Sequence, residues 1–174
     1  MKRIGIVFAA LAALVSAPAL AQDYAEPGVY GQINGVASFL SDADANAVGA
    51  SGRLGYRMSP NLAIEGQVDY SGDFAGSGAR LSSTMVTVNG KYYFLQEQLQ
   101  PFVLAGLGGQ FAKAGISGLG SGKEKAFALK AGGGLDFYFS ERAGLSLEAV
   151  YNIGTGDLSD YDWLGLGWGV FYRF

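Results

Sequence analysis

The chain has no histidine and no cysteine, and this limits the chemistry its side chains can perform. Ser–His and Cys–His nucleophilic pairs are excluded. A zinc site would have to rely on carboxylates alone, outside the usual nitrogen and sulfur ligand set. Glu65 and Asp69 fall on one face of a strand, and paired carboxylates can act as general acid and base. Partnership in structural ion pairs is the commoner use of such residues. Asp42 and Asp44, and also Asp157, Asp160 and Asp162, are oxygen sets of the kind that hold Ca²⁺, although solvated acidic loop tips need no metal. Residues 118–123 read GLGSGK, but Ser117 and Glu124 stand where a phosphate-binding loop needs Gly and Ser or Thr. The expectation is therefore no catalytic, cofactor-binding or metal site, and no enzyme.

The elements that position these residues begin after an export signal. Lys2 and Arg3 precede an apolar run over residues 4–15, and Ala19-Leu20-Ala21 forms a small-x-small cleavage site. The run is too short for a spanning helix, which needs about 20 apolar residues. Residues 1–21 are expected to be removed, leaving residues 22–174 as one domain. No cysteine follows the site, so a lipid-anchored form is not expected. Without Lys2 and Arg3 the charge is clearly acidic, and there is no basic run to suit nucleic acid. Glycine is 28 of 174 residues, about twice its usual share of roughly 7%. Its interleaving with Tyr and Phe suits strands that bend or make room for large neighbours.

Eight segments alternate with period two: residues 29–40, 48–58, 62–70, 84–94, 102–111, 127–139, 145–152 and 163–174. In the last, Leu164, Leu166, Trp168, Val170, Tyr172 and Phe174 make one unbroken apolar face. The same division holds in the others, with the fifth offering only Gln110 and glycines on its second face. Alternation gathers Arg53, Arg57, Lys91, Lys130 and Arg173 with Glu65, Asp69, Asp136 and Glu148 on the polar faces, and leaves the apolar faces free of charge. Short connections after the second, fourth and sixth segments (59–61, 96–101, 140–143) alternate with longer polar ones (41–47, 71–80, 112–125, 153–162).

An all-β, eight-stranded, antiparallel, up-and-down transmembrane β-barrel satisfies all of these patterns. Its short turns and both termini lie on the periplasmic side. The interior of such a barrel is just wide enough for side chains to fill. Its charges must then be paired, because buried charge requires compensation. Arg53 or Arg57 is expected to reach Glu65 or Asp69 on the neighbouring strand, with Lys91 and Lys130 among Asp136 and Glu148.

With its signal, Lys91-Tyr92-Tyr93-Phe94, the Pro101-Phe102 to Gly106-Leu107-Gly108 opening and the glycine-rich end at Phe174, the chain resembles small outer-membrane β-barrel proteins of the OmpA/OmpX-like and opacity-type porin family. The resemblance implies an integral protein of a Gram-negative outer membrane, inserted by the barrel assembly machinery through Tyr172 and Phe174. From the residues themselves a monomer is expected, in contact with outer-membrane lipids and lipopolysaccharide, whose phosphates suit the Lys113, Lys123 and Lys125 cluster. Larger relatives carry a peptidoglycan-binding domain after the barrel, which is not expected beyond Phe174. Barrel enzymes that act on lipid A, and barrel proteases, depend on a histidine that is missing here. The expected role is support of envelope integrity or presentation of surface loops. The alternative is a narrow porin for ions or small solutes. A soluble ligand-holding barrel would turn its apolar residues inward, against the pattern seen.

Overall fold

Alternation becomes eight antiparallel strands: β1 (Gly28–Leu40), β2 (Asn46–Ser59), β3 (Leu62–Ser71), β4 (Ala79–Tyr93), β5 (Leu99–Ile116), β6 (Gly120–Tyr138), β7 (Ala143–Gly154) and β8 (Trp163–Arg173). The computed structural model describes residues 24–40, 46–72, 79–116, 120–154 and 162–174. The expected signal segment 1–21, together with Asp42, Asp44, Asp157 and Asp160, lies outside them, as do the side chains of Lys113, Lys123 and Lys125.

Each strand pairs with the next, and β8 returns to β1 through a register that sets Gly35 against Trp168 and Tyr30 against Arg173. The sheet is a closed barrel, so no strand edge is left to find partners in lipid. The seam is fastened at its end by the Phe174 amide, which donates to the Val29 carbonyl at 3.0 Å. On the short-turn side, the Asn61 side chain donates to the Tyr93 carbonyl at 2.8 Å, tying the β2–β3 turn to β4.

The sides expected from alternation hold on all eight strands. Leu54, Val88, Leu107, Leu147 and Trp168 are each half exposed or more. All nine charges assigned to the polar faces are buried inside the tube. A water-soluble protein rarely leaves an apolar patch of more than a few hundred Å² uncovered, whereas here the apolar band runs around every strand.

Two expected connections are corrected. Residues 112–125 are not a loop: β5 and β6 continue through nearly all of them, with Lys113 registered against Lys123 and Ala112 against Glu124. The ribbon runs past the apolar set that ends at Phe111 and begins again at Phe127. Beyond the hydrocarbon, paired backbone still satisfies itself, and no apolar face is needed to hold it. The turn expected at 96–101 is also shorter, because β5 begins at Leu99 and takes in Gln100 and Pro101.

Two glycines show why this residue is so abundant on the inner faces. A Cβ on Gly55 would strike the Tyr30 ring, and one on Gly167 would come within 2.7 Å of the Glu148 side chain. Placing a cation on the outer face should be costly, because hydrocarbon cannot solvate it. Leu147→Arg is expected to lower stability by about 2–4 kcal/mol. Denaturant unfolding in lipid vesicles measures it, and a variant as stable as the parent would contradict the lipid-facing assignment.

Candidate functional site, the charged lumen

The inner face of each strand sends polar side chains into a tube narrow enough for opposite walls to touch. Arg53 on β2 pairs with Glu148 on β7, across the lumen. Lys91 on β4 places Nζ 2.8 Å from Asp136 on β6, past the intervening β5. Lys130 on β6 reaches Asp69 on β3 at 2.7 Å. Weaker contacts to Glu65 join the first two pairs, from Arg53 at 3.7 Å and from Lys91 at 3.6 Å. Three of these five contacts join strands that are not neighbours, and two of them, Arg53–Glu148 and Lys130–Asp69, reach across the lumen.

Neutral groups fill the remaining valences. The Tyr30 hydroxyl donates to Glu65 at 2.5 Å, while the Tyr93 and Ser146 hydroxyls donate to Asp136 at 3.1 and 2.6 Å. The Gln67 amide donates to Asp69 at 2.6 Å and accepts from Asn89 at 2.8 Å. Lys91 also lies over the Phe102 ring, 3.7 Å from its centroid. Toward the longer connections, Val36, Met85, Ala128 and Trp163 form a buried apolar layer.

Arg53 with Glu65, and Lys91 with Asp136, meet as the sequence leads one to expect. One other assignment is corrected, and Arg57, the alternative to Arg53, finds different partners. Lys130 pairs with Asp69 and not with Asp136 or Glu148, because β6 faces β3 across the tube. Arg57 meets no carboxylate among the described residues. Its guanidinium donates instead to the carbonyls of Tyr24 and Pro60 and to the Gln100 side chain, and it stacks on Tyr93 at 4.1 Å. Gln100, expected in a turn, is instead buried on β5, a placement no sequence pattern signals. Nor is Tyr24 signalled, for no alternation exists ahead of β1. Alternation places Tyr30, Tyr93 and Tyr138 on the correct face but does not show that Tyr30 and Tyr93 donate to carboxylates while Tyr138 accepts from Arg57.

The paired carboxylates Glu65 and Asp69 are 1% and 5% exposed, each already engaged by a cation and a neutral donor. Asp162 accepts from the Gly154 amide at 3.1 Å and the Tyr151 hydroxyl at 3.4 Å, bracing the end of β7. Tyr172 and Phe174 stand exposed on the outer face at the short-turn end, their rings edge to face at 5.5 Å.

An apolar outer band, a closed antiparallel sheet and a charge-filled interior define a small transmembrane β-barrel of the outer-membrane class. The chain belongs to the outer membrane protein β-barrel domain family, whose sequence profile matches residues 7–174. That membership places it in the outer membrane as an integral protein. Curated protein sequences give no significant match. Among solved structures, Neisserial surface protein A is similar at 16% identity and a TM-score of 0.71, over 85% of this chain and 97% of that one. The N-terminal β-barrel domain of Pseudomonas aeruginosa OprF is similar at 20% identity and 0.61, over 86% and 100%. Ail, the attachment invasion locus protein of Yersinia pestis, follows at 19% and 0.57, over 85% and 97%. At these identities the likeness is one of fold.

Removing one partner of a buried pair strands the other charge. Lys130→Met is expected to cost about 3–5 kcal/mol, and adding Asp69→Leu should recover most of that loss. Unfolding of the single and double variants in lipid checks this. Equal losses in both would contradict a direct pairing across the lumen.

Proposed function

We propose that the protein is a non-enzymatic integral barrel with a side-chain-filled lumen, which supports the outer membrane and presents the connections on its far side to the exterior. The observation that carries this reading is the set of ion pairs joining strands that are not neighbours: Arg53 with Glu148 and Lys130 with Asp69 across the lumen, and Lys91 with Asp136 over β5. A solute path along the axis would have to separate each pair and leave buried charges without compensation. The absence of histidine and cysteine from the whole chain supports a role without Ser–His or Cys–His nucleophilic catalysis.

Two contacts with the envelope belong to the same reading. Tyr172 and Phe174, exposed at the short-turn end, are proposed as the aromatic signal taken by the barrel assembly machinery. The β5–β6 ribbon, whose register brings Lys113 opposite Lys123 and Lys125 opposite Phe111, is proposed to meet lipopolysaccharide phosphates. Replacing the three lysines with glutamine should weaken lipopolysaccharide retention on purification, and unchanged retention would remove that contact.

Planar-bilayer recording separates the filled barrel from a narrow porin. The purified protein is expected to insert without discrete conductance steps. Reproducible single-channel openings from the unmodified protein would overturn the filled-lumen reading in favour of the porin.

A further inference from the structure

The residues ahead of β1 do not trail away from the barrel. Tyr24 and Ala25 are 6% and 4% exposed, while Glu26 and Pro27 are open to solvent. The Tyr24 ring packs on Tyr138 with centroids 5.3 Å apart, and Tyr138 in turn packs on Phe171 at 4.7 Å. The Tyr24 carbonyl accepts from Arg57 at 3.3 Å and from Gln100 at 3.4 Å. Arg173 donates to the Glu26 carbonyl at 3.5 Å and lies 3.7 Å from its carboxylate. These partners sit on β2, β5, β6 and β8, so the segment spans the mouth and does not follow one rim.

The chemistry of the mouth calls for such an occupant. Arg57 is 2% exposed and reaches no carboxylate among the described residues, so its charge is met only by uncharged acceptors and an aromatic face. Loss of the Tyr24 carbonyl would remove one of those acceptors from a buried guanidinium. Just inside lies a cavity of about 10 Å³, lined by residues including Arg57, Asp136, Tyr138 and Arg173, with room for about one water.

We propose that residues 24–26 are a periplasmic latch, a segment of the chain that docks in the barrel mouth, closes the lumen to water and clamps the end of β8 beside the start of β1. The aromatic stack supplies the adhesion, and the two arginines supply the hydrogen bonds that orient the segment. This goes beyond a lumen filled by strand side chains. It assigns closure of the periplasmic end to residues outside the barrel wall.

The chain has no cysteine, so a single introduced thiol reports alone. Protein carrying Ala25→Cys or Pro27→Cys would be isolated from outer membranes, returned to lipid vesicles and treated with a water-soluble maleimide. Heat-dependent gel mobility would confirm that each barrel is folded. Docking predicts that the Ala25→Cys variant reacts at least about tenfold more slowly than Pro27→Cys, since labelling must wait for local opening. Adding Tyr24→Gly should then bring its rate close to that of Pro27→Cys. Equal rates for the two single variants would overturn the latch, as would protection at position 25 that survives Tyr24→Gly. No current is read, so the result stands apart from whether the lumen conducts.

Discussion

In hydrocarbon, a strand can send its backbone N–H and C=O groups only to another strand, and the rest of this molecule follows from that constraint. It requires β8 to come back to β1, because an open sheet would leave two unpaired edges in lipid. Once the sheet is closed, every strand has one side facing acyl chains and one facing the axis. The outer side can then carry only apolar groups. Within the hydrocarbon, the inner side must take the charges that the strands carry there, and it must do so within a tube that eight strands make narrow.

The lumen therefore solves a problem of electrostatics as much as one of packing. Arg53, Lys91 and Lys130 face Glu65, Asp69, Asp136 and Glu148, and tyrosine, serine and glutamine donors take up the carboxylate oxygens that the cations leave. Ion pairs of this kind add little net stability over apolar packing, but they punish any arrangement that separates them. That asymmetry favours one register and one filled state. Gly55 and Gly167 belong to the same solution, since each gives up its side chain where Tyr30 or Glu148 crosses the tube.

What the sequence made legible was the side on which each residue lies. Lipid excludes charge from one face so strictly that Lys91, Asp136 and Arg173 could each be assigned by counting in twos. Which residues meet across the lumen was less legible. Contacts such as Lys130 with Asp69 depend on barrel diameter and strand stagger, and neither is written in a single strand. The β5–β6 ribbon beyond Phe111 has the sequence of a loop because outside the bilayer the alternation that marks a strand is no longer required. Tyr24 was invisible for a related reason: its burial comes from the barrel mouth and not from a periodic pattern.

The claim on which all of this rests is that position inside or outside the tube, and not hydrophobicity, decides which residues touch lipid. Leu104, Val36 and Val150 are apolar yet lie inside, whereas Leu107, Val88 and Leu147 are apolar and lie outside. Methyl-labelled protein in lipid nanodiscs distinguishes them through nuclear Overhauser contacts with acyl-chain methylenes. The structure predicts such contacts for Leu107, Val88 and Leu147 and none for Leu104, Val36 and Val150. Acyl-chain contacts at both sets alike, or at the second set alone, would contradict it.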